Sequence, residues 1–245
     1  NFTSPSGAIT SRYDLPAMEN NIFENNARDV VEIQQWTVNK DITLDSKVEY
    51  LMNIITVNTG ATLQILPGTI INLSKKGEIT VNGSLEAIGV DNNKIIIRPA
   101  KVDEKWGNII FNNSTSTLEY VNITGGNYGS KKEGVLWMKN SNVTLNNVSL
   151  TDARRPGGMI YSKDSNLKMT DSEISWSTPK ESNTWSISGI NLFGGYLYLN
   201  NTTFNQMDRG IEMYNLAMIE IANMTLGHFT NISDLNWWPI NAINL

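Results

Sequence analysis

Asn142-Val143-Thr144-Leu145-Asn146-Asn147-Val148-Ser149-Leu150 is the stretch on which the fold turns, because the chain repeats its pattern. Asn166-Leu167-Lys168-Met169-Thr170-Asp171-Ser172-Glu173-Ile174, Tyr196-Leu197-Tyr198-Leu199-Asn200-Asn201-Thr202-Thr203-Phe204 and Met218-Ile219-Glu220-Ile221-Ala222-Asn223-Met224-Thr225-Leu226 follow the same plan. A degenerate copy begins at Leu118 and runs to Ile123. In each, an apolar-x-apolar strand is followed, four residues after its first apolar position, by Asn or Asp: Asn122, Asn147, Asp171, Asn201 and Asn223. Asn is the non-glycine residue that best tolerates the left-handed backbone a sharp corner demands. Stacked corners of this kind let one amide bond the next, so these five residues are expected to form a structural ladder.

Upstream of each copy a second short strand is introduced by glycine, at Gly134, Gly158, Gly189 and Gly210. The intervals of 24, 31 and 21 residues fall within the range of solenoid repeats. One repeat is then one coil, with inward apolar residues stacking into a continuous core and strands pairing in parallel about 4.8 Å apart. The expected fold is all-β: a right-handed parallel β-helix of about eight coils over residues 35–245. Residues 1–34 lack the repeat and read as an N-terminal extension capping the open core, with Asp14-Leu15-Pro16 and Met18, Ile22 and Phe23 suited to a short helix. The closing run Trp237-Trp238-Pro239-Ile240-Asn241-Ala242-Ile243-Asn244-Leu245 looks like the start of another coil, which implies continuation into a longer chain, a covering partner or self-assembly.

The first half obeys the same logic with different turns. Ile55-Thr56-Val57-Asn58-Thr59-Gly60-Ala61-Thr62-Leu63-Gln64-Ile65-Leu66-Pro67-Gly68-Thr69 matches Ile79-Thr80-Val81-Asn82-Gly83-Ser84-Leu85-Glu86-Ala87-Ile88-Gly89, and Trp106-Gly107-Asn108-Ile109-Ile110-Phe111 follows. These phrases resemble the opening coils of the pectin-lyase-like right-handed parallel β-helix family of secreted and cell-surface proteins of bacteria and archaea. The resemblance covers residues 36 to 245 and implies an extracellular or cell-surface protein. That architecture serves polysaccharide enzymes, adhesins and surface coats alike, so it does not choose among them.

Composition narrows the field. Nineteen Lys and Arg against 24 Asp and Glu give a net charge of −5 and a pI near 5.0, which provides no basic field for a nucleic-acid partner. With no cysteine, disulfides, thiolate metal sites and cysteine nucleophiles are excluded together. The single histidine, His228, cannot build a His-based zinc site and reads as a loop residue. No apolar run approaches the roughly 20 residues needed to span a bilayer.

Carboxylate chemistry has one weak candidate grouping: Asp152, Arg154, Arg155, Asp208, Arg209 and Glu212. Asp152 and Asp208 follow equivalent strands two coils apart, about 10 Å by strand spacing, a separation compatible with a glycosidase pair. Ordinary surface charge explains the same residues. The paired-Asp, Gly-His-Gly and Arg-x-Lys patterns of polygalacturonase relatives are missing from the chain. No metal site is identified; Ca2+ is a possibility only through the lyase branch of the resembled family.

Loops at 125–134, 151–158, 175–188, 205–209 and 227–238 all leave the same corner of the coil and are expected to line one edge, where function concentrates on such scaffolds. Trp176, Trp185, Trp237 and Trp238 fall in these loops, and Tyr198 takes an outward strand position. They either stack on sugars or a protein partner, or fold back over their own loops. Trp137 and Tyr161, within strands, read as packing residues. Among the Asn-x-Ser/Thr sequons, Asn1, Asn72, Asn112, Asn113 and Asn231 lie in turn-like contexts open to glycosylation, whereas the ladder residues do not. The expected function is a non-enzymatic structural or adhesive module of a surface layer, filament or larger surface protein, with surface glycans or other copies of the assembly as partners. The alternatives are a polysaccharide lyase or hydrolase, or a carbohydrate-binding module, working along the loop edge.

Overall fold

The computed structural model describes residues 9–13, 30–102, 104–126, 134–153, 157–176, 187–207, 209–215 and 217–227. Among them there is no helix, and hence none long and apolar enough to cross a membrane. Every pairing between strands is parallel, and each strand inside the stack bonds the strand one repeat before it and one repeat after it, giving a solenoid-like stack.

The pairings fall into three columns, here called the first, second and third faces in the order the chain visits them. On the first face the register runs Ile9, Val31, Tyr50, Ile71, Ile97, Ile123, Leu150, Ile174, Phe204 and Leu226. On the second it runs Trp36, Ile55, Ile79, Ile109, Leu136, Ile160, Ile190 and Ile211. On the third, Leu44, Ile65, Ala87, Leu118, Leu145, Met169, Leu199 and Ile221 align. Strand side chains alternate across the pleat, so one residue in two points inward from each face. From Val31 to Phe204 those on the first face are fully buried, and so are those on the second from Trp36 to Ile190 and on the third from Leu44 to Leu199. Burying each aliphatic side chain contributes about 1.5–3 kcal/mol, and this uninterrupted core offsets the entropy of ordering so many turns.

The stack takes in Ile9–Ser11 and Val30–Ile33, so parallel pairing reaches into the stretch that lacks the repeat in sequence. The helix expected after Asp14, and the C-terminal run from Trp237, lie outside the described residues.

Between the third and first faces the backbone turns through single residues with positive φ: Tyr120, Asn147, Asp171 and Asn201, at 48° to 52°. One expectation is corrected here. Asn122 is not a corner residue; it sits in a strand paired with Ser149, and the corner of its coil is Tyr120. Asn223 occupies the column by register, but its φ is not among the positive ones. Between the second and third faces the later coils turn at Asn113, Asn140, Asp164, Gly194 and Asn215, also at positive φ. The residue after the first three is a buried serine, Ser114, Ser141 or Ser165. The hydroxyls of Ser141 and Ser165 donate back to the carbonyls of Lys139 and Lys163, closing each turn with a local bond.

Candidate functional site

Register fixes where the irregular loops emerge. First-face strands end at Thr124, Thr151, Ser175 and Asn205, and second-face strands resume beyond Gly134, Gly157, Ile187 and Arg209. The loops therefore share one edge. Departure is marked by positive φ at Gly125, Asp152 and Gln206. Arg154, Arg155, Trp185, Asp208, His228, Trp237 and Trp238 lie outside the described residues.

Of the candidate carboxylate grouping, Arg209 and Glu212 are brought together. Glu212 points outward from the second face, yet its side chain is only 8% exposed. One carboxylate oxygen receives the Arg209 guanidinium and the Tyr214 hydroxyl at 3.4 Å; the other receives the Ser188 hydroxyl from the preceding coil. A buried carboxylate costs several kcal/mol unless paired and hydrogen-bonded, and three donors meet that requirement. Asp152 is half-exposed at the head of its loop, and its backbone carbonyl accepts Lys105 Nζ at 2.8 Å.

Beside Glu212 in register lies Asn191, 7% exposed, whose Oδ1 finds no hydrogen-bond partner among the described residues. Gly158, in the preceding coil and paired with Ser188, lies close to this amide, and an added Cβ there would lie 2.8 Å from Asn191 Nδ2. Glycine there leaves room for the amide, and Gly158, Ser188, Asn191, Glu212 and Arg209 form a largely buried polar cluster near the root of the loop edge.

The second face also carries an aromatic column, of which the sequence pointed only to Trp137 and Tyr161, as packing residues. Trp137 and Tyr161 alternate with the buried Leu136, Met138 and Ile160, and so stand on the outward phase, half-buried. Trp137 stacks on Tyr161 at 5.9 Å, Tyr161 on Phe193 at 4.9 Å and Phe193 on Tyr214 at 4.4 Å, with interplanar angles of 3°, 29° and 7°. Because the rings face one another along the axis, their faces are spent on each other and their edges meet solvent.

The described aromatic candidates part ways. Trp176 is 7% exposed and belongs to the core, because the alternation Ile174-in, Ser175-out carries it inward, and the expectation of a free indole is corrected. Tyr198 is outward and half-exposed on the third face, with Lys168 Nζ 5.6 Å from its ring centre. Neighbouring Tyr196 donates its hydroxyl to Glu220 at 2.5 Å, a bond that raises the phenol's pKa.

The sequons divide likewise. Asn72 is 4% exposed, donates to Glu49 and accepts from Arg98 Nε, so its amide is committed and the expectation of an open glycosylation site is corrected. Asn112 is half-buried and donates to Asn82, while Asn113 is exposed. Asn1 and Asn231 lie outside the described residues. Among the described residues no group of three or more His, Cys, Asp or Glu is gathered to hold a metal ion.

The acidic and amide side chains instead bond from coil to coil. Glu49 receives Asn72, Gln64 donates to Glu86, Asn146 to Glu119 and Asn201 to Asp171. Asn58 donates to Asn39, Asn140 to Asn113 and Asn166 to Asn142. Of the expected corner ladder, Asn201 to Asp171 is the bond seen along the column, and Asn147 instead bonds Asn146 in its own coil. Comparison with family models, curated proteins and solved structures found no match.

Proposed function

We propose that this chain is a right-handed parallel β-helix of about eight coils, of the pectin-lyase-like kind, and that it serves as a non-enzymatic structural or adhesive module at the cell surface. It would stand in a surface layer, a filament or a larger surface protein, with surface glycans or further copies of the assembly as partners. One observation carries this reading: outward carboxylates that chemistry would need free are used as ties between successive coils. Glu49, Glu86, Glu119, Asp171, Glu212 and Glu220 each bond a side chain one coil away. A scaffold that commits its charges along its own axis gains stiffness and regular flat faces.

A second reading has its own observation. The buried polar cluster of Gly158, Asn191 and Glu212, with Asn191 Oδ1 unpartnered among the described residues, lies near the edge where the loops gather and would give a carbohydrate-active enzyme or a carbohydrate-binding module convergent polar groups. One experiment separates the two: the full chain is applied to a glycan array and incubated with a panel of acidic and neutral polysaccharides while new chain ends are measured. The structural or adhesive reading expects no new ends with any polysaccharide. Measurable turnover would overturn it in favour of a lyase or hydrolase.

A further inference from the structure

The corners between the second and third faces place exposed asparagines directly before serines. Asn113 and Asn140 are exposed at φ 52° and 50°, and Ser114 and Ser141 after them are each 2% exposed. In a free chain an asparagine followed by a small residue modifies itself. The backbone nitrogen of the next residue attacks the side-chain Cγ, a new C–N bond closes a five-membered imide, and ammonia leaves. Water then opens the imide at either carbonyl, giving aspartate or an isoaspartyl link with an extra methylene in the backbone. The reaction needs the attacking N–H free of other bonds.

Here it is not free. Ser114 N–H donates to Ser141 Oγ at 3.0 Å, and Ser141 N–H donates to Ser165 Oγ at 3.0 Å. Each accepting hydroxyl is itself held, donating to Lys139 O at 2.8 Å and to Lys163 O at 2.7 Å. We propose that Asn113 and Asn140 are latent deamidation sites, each held closed by the hydroxyl of the serine one coil further along the stack. The serine column is then a chemical guard as well as a turn. Conversion at either site would put a carboxylate, or an extra backbone atom, into the corner where Asn140 Nδ2 meets Asn113 Oδ1 at 3.4 Å. A stack that has once opened there could not close in register. Asn82-Gly83 provides an internal reference, because Gly83 N–H donates to a backbone acceptor, Val57 O, at 3.2 Å and owes nothing to a hydroxyl.

The test is peptide mapping by mass spectrometry of the full chain, native and denatured, and of Ser141→Ala and Ser165→Ala, after incubation at mildly alkaline pH. Ser141→Ala is expected to speed conversion at Asn113 roughly tenfold, the factor that losing a hydrogen bond of about 1.4 kcal/mol represents, and Ser165→Ala to do the same at Asn140. Each variant should leave Asn82 at the native rate, and Ser141→Thr, which keeps a hydroxyl, should protect Asn113. Denatured chain should convert at all three sites. The proposal is overturned if neither alanine variant accelerates its own site, if Asn82 rises in step with the other two, or if denaturation leaves Asn113 and Asn140 unconverted.

Discussion

Asp171 and Asn201 show why a single residue type recurs in this chain. Both hold φ 49°, and Asn201 Nδ2 donates to Asp171 Oδ1 at 2.7 Å. A residue with a Cβ loses about 1–2 kcal/mol in the left-handed region, a cost that Asn and Asp lessen with local hydrogen bonds. Asn201→Ala is therefore expected to lower stability by about 1 kcal/mol or more in urea unfolding, and Asn201→Gly, which relieves the backbone and loses only the amide bond, by less; equal losses would remove the backbone argument. Tyr50 gives a pH-dependent case. Burial pushes its phenol up to about 12 from the ordinary 10.0, the Asp45 N–H bond pulling down and the Asp45 charge pushing up. The unfolded chain loses this proton first, so it binds fewer protons than the native state between these values and stability falls as pH rises. The Tyr50 contribution is complete below pH 10.0 and lost as pH climbs towards about 12. Tyr50→Phe should flatten the fall in unfolding midpoint over that window, and a variant as steep as the parent would show that Tyr50 is not its source.

At the scale of strands, alternation is legible, and register is legible where the repeat is clean, as in the copies starting at Asn142, Asn166, Tyr196 and Met218, but not in the degenerate copy at Leu118. Inward residues such as Leu145, Ile160 and Leu197 follow from the period-two pattern, and all are buried. Asn122 was misplaced because its coil hides its phase: Ser116, only 3% exposed, takes the inward position that Val143 fills in the next coil. Counting from the first apolar residue, Leu118, then shifts the corner by two. The aromatic column was missed for a related reason. Tyr161 pairs in register with Asn191 and stacks diagonally on Phe193, so the contact joins residues of different position across coils separated by loops of unequal length. The polar cluster around Asn191 depends on that cross-coil register too. Phe193 lies between Tyr161 and Tyr214, and aromatic pairs contribute about 0.5–1.5 kcal/mol each beyond their buried area. Phe193→Ala should cost on the order of 2 kcal/mol in urea unfolding, whereas Lys163→Ala, at the paired but exposed position, should stay within about 0.5 kcal/mol. Comparable small effects would mean that the column is incidental.

For the molecule as a whole, stability and the proposed function both rest on one continuous parallel stack whose coils are tied by shared core residues and by side-chain bonds along the axis. The outward positions of the third face trace it: Thr43, Gln64, Glu86, Thr117, Thr144, Lys168, Tyr198 and Glu220 align one below another. The chain has no cysteine, so paired cysteines introduced at these positions can be spin-labelled without background. Pulsed electron-electron distances from Thr43→Cys to Thr144→Cys, Tyr198→Cys and Glu220→Cys, each measured as a pair, should grow linearly at roughly 4.8 Å per coil, to about 19, 29 and 34 Å, with narrow distributions. Distances that fail to rise with coil number, or that spread broadly from Thr144 onward, would contradict a single parallel stack and the surface module proposed on it.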